Sequence, residues 1–298
     1  MAQVKSSSGK QTLTLYFIVE PPNYQFIACY LAASLREQFG SDVTLLGYCP
    51  EHKIAEINED AIEVLRRMNV EVRPFKAAGR FDPEYPHGNK LLATLEPRDT
   101  DFSGFMDSDI LCIRKNDPKN IIKDGCVSLT PAASMNWAKQ TIWDEIYKTC
   151  DMPLPEERIY LMRQKRGPKR VPYFSSGFFT FPERHRTTDG QSFPEVWMDI
   201  AQRLDQNPDI PKKRPYLDQI SLPLAIQKAG LKWNMLPQEQ HFILGGRMRG
   251  QPLPEDIDIY TVHYRQWPIL KEVGLSRLGK RLLNKHAGVR RVTNIQKV

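Results

Sequence analysis

The sequence predicts an α/β protein with an open, mixed sheet flanked by helices. Three observations carry this reading. Residues 12–74 alternate strand-like and helix-like segments in the order β-α-β-α-β, which implies parallel strands joined by right-handed crossovers and a crevice at their carboxyl ends. A later apolar run, Phe105 to Ile113, is broken only by Asp107, Ser108 and Asp109. Strand- and helix-like segments continue to residue 263, and 298 residues are enough for a full core.

Thr12–Val19 is β-branched and aromatic, and Glu20-Pro21-Pro22-Asn23 breaks it. Tyr24–Phe39 repeats Phe26, Ile27, Tyr30, Leu31 and Leu35 at helical spacing and stops at Gly40. Asp42–Tyr48 is a second strand. His52–Asn69 is expected to be one helix with Ile54, Ile57, Ala61, Val64, Leu65 and Met68 on a face, and Val70–Pro74 a third strand. A loop, 75–88, leads into a short helix at Asn89–Leu95. The diacid strand ends at Met106; Gly125–Thr130 is a strand, Ala132–Cys150 a helix, and 151–170 a basic, Pro-bearing loop. Val171–Phe181 and Lys232–Leu236 are strands, Phe193–Leu204 and Leu217–Ala229 helices (the second bent at Pro223), and Ile257–His263 the last strand.

No apolar stretch approaches the roughly 18 residues of a membrane span, no signal peptide is expected around Ser6-Ser7-Ser8-Gly9, and five cysteines without a CxxC pair favour reduced thiols and a cytoplasmic location. The formal net charge is +7. Residues 271–298 hold eight Lys or Arg against one acid, so the rest of the chain is neutral and nucleic acid is not an expected partner. In that tail Leu275, Leu278 and Leu282 recur among Arg277, Lys280, Arg281 and Lys285. Two readings stay open: peripheral contact with an inner membrane surface, or a surface helix packed on the domain by its leucines.

Burying Asp107 and Asp109 would cost several kcal/mol each unless something neutralised them (roughly 2–7 for a polar group, more for a charge). Emerging together at the strand's carboxyl edge, they suit a divalent cation shared with a phosphate. A turn in which they cap amides is the competing reading. His263, at a strand end, is either a metal ligand or a hydrogen-bonded histidine. Ser175-Ser176-Gly177 inside an aromatic strand allows close approach of a ligand or of another backbone. Asp218-Gln219 opens a helix, as cap or as acceptor-orienting pair. Lys90 at a helix start suits an anion, or is a solvated lysine.

In their order these pieces resemble the GT-A-fold glycosyltransferases, and in particular the family-8, glycogenin- and galactosyltransferase-like retaining enzymes: a β-α-β half, Lys90, Phe-Met-Asp-Ser-Asp, Phe-Ser-Ser-Gly-Phe, Asp-Gln-Ile and a late Val-His-Tyr. The resemblance spans roughly residues 12–268. It implies a Rossmann-like GT-A domain over 1–270, with a donor half at about 12–115 and an acceptor half at about 116–270, followed by the basic tail. It also implies a DxD metal site for Mn²⁺ or Mg²⁺ made by Asp107, Asp109 and His263, with Asp107 also on the nucleotide diphosphate. Lys90 would be the basic residue near a nucleotide-sugar donor, most simply UDP-linked. Ser175 and Ser176 would meet the sugar, and Asp218 and Gln219 would lie near the reacting centre, with a glycan or lipid-linked acceptor. Two positions depart from the family: Ser175 replaces a usual Asn, and Tyr264-Arg265-Gln266-Trp267-Pro268 replaces a Gly followed by Lys-Pro-Trp, so that Arg265 takes the phosphate-binding part. Two other functions compete, a nucleotidyltransferase acting on a sugar phosphate and a non-catalytic nucleotide-sugar-binding protein. The first normally carries a Gly-rich, Arg-containing loop where this chain has Glu20-Pro21-Pro22-Asn23-Tyr24.

Overall fold

A computed structural model describes residues 11–292, the side chain of Arg247 excepted. The serines at 6–8 and the last six residues of the expected tail, 293–298, lie outside the described residues. The first half alternates as expected: β1 (Leu13–Ile18), α1 (Tyr24–Phe39), β2 (Val43–Pro50), α2 (Glu59–Arg67) and β3 (Val70–Phe75), with α1 ending at Gly40. The single helix expected over 52–69 is instead a 3-10 turn, Glu51–Glu56, followed by α2. Asn58 is the cause. Its side chain accepts from the amides of Asp60 and Ala61, a strong start signal that leaves Ile57 extended.

Next come α3 (Asn89–Leu95), β4 (Phe102–Met106), β5 (Ile110–Cys112), β6 (Cys126–Pro131), α4 (Ile142–Thr149), β7 (Phe174–Pro182), α5 (Phe193–Gln206) and α6 (Leu217–Lys228). The chain then forms β8 (Lys232–Met235), β9 (Phe242–Ile243), β10 (Thr261–His263), α7 (Trp267–Glu272) and α8 (Ser276–Ala287). The helix expected over 132–150 shrinks to α4, because Ala132 is drawn into loop pairing: its amide bonds to Tyr173 and its carbonyl accepts from Met162. Likewise the last predicted strand contracts to β10. Pro223 lies inside α6 without ending it.

Seven strands form the main sheet in the order β3-β2-β1-β4-β7-β6-β8, and β5-β10-β9 form a second, small one. β1 to β4 run parallel, and β7 lies antiparallel to both β4 and β6. The carboxyl ends of β1, β4 and β6 therefore share one edge with the amino end of β7. Period-two alternation divides the core. Leu13, Leu15 and Phe17 pack with α1, α2 and α8 on one face, and Tyr16 joins Trp143, Trp197 and Leu224 on the other. Burying each such side chain contributes about 1.5–3 kcal/mol. Arg98, almost fully buried, pins α3 to the sheet. Its guanidinium donates to the carbonyls of Ala93 and Thr94 (3.1 and 2.9 Å), meets Glu183 at 3.2 Å and stacks 4.2 Å over Tyr16.

The apolar side of the basic tail is spent inside the molecule. Leu282, Leu283 and Ala287 of α8 are buried with residues of α1, while Lys285 and His286 both reach Glu37 at 2.7 Å. Among the described residues no helix is long and apolar enough to cross a membrane. The five cysteines are free and buried. Leu283→Ala is expected to destabilise the protein by about 2–5 kcal/mol in urea unfolding, whereas Arg281→Ala should stay within about 0.5 kcal/mol. A Leu283→Ala effect as small as that of Arg281→Ala would show that α8 is not part of the fold.

Candidate active site

β4 ends at Met106, and the chain turns at once: the amide of Asp107 bonds to the carbonyl of Gly177 (2.7 Å), and that of Ile110 to the carbonyl of Asp107 (3.0 Å). Ser108 anchors the turn by donating to Ile18 O at 2.5 Å. Asp107 and Asp109 thus converge through a turn rather than through the strand alternation expected from the sequence. The small sheet completes it. β10 runs antiparallel to β5 with His263 opposite Ile110, which brings His263 Nε2 to 3.1 Å from Asp109 Oδ1 and 3.8 Å from Asp107 Oδ2. One ligand atom from each of the three lies within 4.8 Å of the others, the one such group among the described residues.

Space for this cluster comes from Gly177. A Cβ there would sit 2.7 Å from Asp107 Oδ2, 2.9 Å from His241 Cε1 and 3.1 Å from His263 Cε1. The Ser-Ser-Gly run therefore marks a close approach, and the group that approaches is the diacid–histidine cluster.

Lys90, in the first turn of α3, is the counter-ion of the site. Its ammonium lies 3.0 Å from Asp107 Oδ1, 3.1 Å from Asp218 Oδ2 and 3.3 Å from Ser176 Oγ. Burial disfavours its charge, but the two carboxylates outweigh burial and raise its pKa. Its contribution to stability is accordingly complete at neutral pH and is lost only as pH rises through the elevated value. Burial raises Asp107, and Lys90 and His263 oppose that shift. At Asp109 burial is outweighed by the charge and hydrogen bond of His263, so its carboxyl lies below the usual range. Asp218, buried at the start of α6, accepts from Ser176 and from Tyr85 (3.2 Å), whose phenol burial pushes upward.

Lys90, Asp107, Asp109, Asp218 and His263 line a cleft of about 460 Å³, together with Glu20, Tyr24, His87 and Tyr216, a volume typical of a small-molecule site. Seven residues singled out in the sequence meet there: Lys90, Asp107, Asp109, Asp218, Gln219, His263 and Arg265. Gln219 has no hydrogen bond from its carboxamide to another described residue. Arg265 stands in the left-handed region (φ 59°) directly beyond β10, which costs about 1–3 kcal/mol for a non-glycine residue and is found where a site dictates the backbone. Ser176 joins through Lys90 and Asp218. Ser175 is not among the lining residues, and its hydroxyl accepts from Gly177 N at 3.4 Å. Sequence reasoning missed Tyr85, the lining aromatics Tyr24 and Tyr216, and the buried His241. Tyr24 is legible only as a helix start and Tyr85 as a loop residue, while His241 precedes a two-residue strand too short for any periodicity.

A family model described as the Rhodobacterales glycosyltransferase domain matches residues 15–230. Among solved structures, the galactosyltransferase LgtC in complex with donor and acceptor sugar analogues superposes with a TM-score of 0.56 at 13% identity, over 95% of this chain and 98% of that one. An active-site mutant of LgtC gives 0.54 at 11%, over 89% and 95%. WbbM, a bifunctional glycosyltransferase in its apo form, gives 0.54 at 12%, and the match takes in 96% of this chain but 53% of WbbM. No curated protein sequence matches. The structural likenesses establish a GT-A fold. Gly177→Ala is expected to displace Asp107 or His263 while costing about 1–3 kcal/mol in stability. A crystal structure of that variant with the cluster unmoved would refute the packing argument.

Proposed function

The chain belongs to the Rhodobacterales glycosyltransferase domain family and is a glycosyltransferase; we propose that it moves a sugar from a UDP-linked nucleotide sugar to a glycan or lipid-linked hydroxyl, with a divalent cation and with retention of configuration. The observation that carries the cation is the convergence of Asp107, Asp109 and His263 at the cleft. Two carboxylates and an imidazole are a hard donor set with oxygen in the majority, which favours Mn²⁺ or Mg²⁺ over softer metals. The cation would stabilise the negative charge that develops on the diphosphate leaving group.

The chain's own residues supply the rest. Arg265 offers a guanidinium fork to phosphate oxygens beside the diacid, and Lys90 adds positive potential on the same side. Asp218 is held by Lys90, Ser176 and Tyr85, so we assign it an anchoring part and not that of a covalent nucleophile. Gln219, with its carboxamide uncommitted, is the group we place against the reacting sugar or the acceptor hydroxyl. Ser176 steadies Asp218, and Ser175 is a sugar contact only through the strand end it stabilises. The catalytic domain is taken as 1–270, with the donor half at about 12–115 and the acceptor half at about 116–270. With Leu282 and Leu283 buried and Leu275 and Leu278 half-buried against the domain, the tail offers an anionic membrane chiefly its exposed bases, at about 1 kcal/mol each.

Nucleotide release from a panel of nucleotide sugars, with and without Mn²⁺, tests the reading. We expect turnover with a UDP-sugar that EDTA abolishes and Mn²⁺ restores, and Asp109→Asn that folds but loses metal-dependent donor binding. Turnover unaffected by EDTA would refute the metal assignment, and an inverted anomeric signal in the product NMR spectrum would refute retention. Liposome co-sedimentation of an Arg277→Gln/Lys280→Gln/Arg281→Gln variant should show weakened binding to anionic vesicles; undiminished binding removes the tail from that role.

A further inference from the structure

We propose that His241 is a positioning residue for the cation site: with Thr130 it holds His263 in the tautomer whose Nε2 lone pair faces Asp107 and Asp109. This rests on reading those two acids and His263 as the metal centre.

His241 is fully buried and does not line the cleft. Its ring lies nearly parallel to that of His263, with centroids 5.1 Å apart and planes 16° apart. His241 Nε2 stands 3.0 Å from His263 Nδ1, and His241 Nδ1 stands 3.4 Å from the buried hydroxyl of Thr130. The edge of Phe178 and the backbone at Gly177 close the other sides. A continuous row therefore runs from Asp109 through His263 and His241 to Thr130, at the end of β6. It ties the small sheet to the large one.

The chemistry of the row is restrictive. Enclosed in the core and in contact with a second imidazole, His241 as a neutral ring has one N–H and one lone pair to share between its two neighbours. With the proton on Nδ1, it donates to Thr130 and accepts the Nδ1–H of His263, which leaves His263 Nε2 free to coordinate. With the proton on Nε2, it donates to His263 Nδ1. That forces the proton of a neutral His263 onto Nε2, where it bonds to Asp109 and blocks coordination. Only the first arrangement is compatible with a ligand. The Thr130 hydroxyl serves this arrangement as the acceptor at the far end, and a cation on His263 Nε2 selects it for the whole row.

A histidine that merely fills space would be replaced by Phe at no cost to the metal. The test uses the intact protein and Mn²⁺ itself, with dissociation constants from EPR titration. Ring-nitrogen NMR of Mg²⁺-loaded protein reports the tautomer of His263. Wild type should show His263 with its proton on Nδ1. His241→Phe should unfold cooperatively yet bind Mn²⁺ roughly 10–100-fold more weakly. His241→Gln, whose amide oxygen can accept the same proton, should recover most of that loss. Thr130→Val, removing the far acceptor, should weaken binding by about 10-fold, and it carries the test if His241→Phe does not fold. Wild-type affinity in a folded His241→Phe protein, or in Thr130→Val, overturns the positioning role alone. Finding the proton of Mg²⁺-loaded His263 on Nε2 overturns His263 as a metal ligand and this role with it. Absence of Mn²⁺ binding by the wild type overturns the metal centre and this role with it.

Discussion

The active face of this molecule depends on the neutralisation of buried carboxylates. Asp109 and Asp218 are buried at one sheet edge with Asp107 half-buried beside them, and Lys90 lies within salt-bridge distance of Asp107 and Asp218. Removing one partner of such a group leaves an uncompensated buried charge, typically at a cost of about 3–5 kcal/mol. The ammonium comes from α3 and its acids from the β4 turn and from α6. One charge balance thus fixes the geometry of three elements far apart in sequence, and it holds α3 and the β4 turn to α6 across the cleft.

A second constraint is steric. Four separate chain segments meet at Gly177, and its missing Cβ admits a carboxylate and two imidazoles to the same small volume. Charge and close packing therefore select each other: the acids converge because a glycine permits it, and they tolerate convergence because Lys90 and His263 stand beside them.

Much of this was legible in the sequence, for identifiable reasons. The bounds of α1 and α3 follow from helical spacing and their flanking Gly and Pro residues, and the alternation of Leu13, Leu15 and Phe17 is visible as written. The diacid, Lys90, Asp-Gln and His263 were recognisable by type and order. Three things were not. Asn58 splits a helix whose hydrophobic spacing continues through it, so a cap overrides the period. Ala132 and the nine residues after it have helical composition, but the backbone of Ala132 is bonded to Tyr173 and Met162, and the helix begins only at Ile142. β5, β9 and β10 are only two or three residues long and exist because they pair with one another, so His241 had no local signature.

The packing of α8 against α1 also bears on how the chain is made. The face of α1 that meets Leu282 and Leu283 is synthesised about 250 residues before its cover. Until α8 is made, that face has no native partner from this helix, even with β1, β2 and β3 complete. The β1–β3 half is therefore the first part that can begin to fold and one of the last to be sealed. Its exposed apolar face in the interval is the kind of surface on which chaperones act and from which aggregation starts.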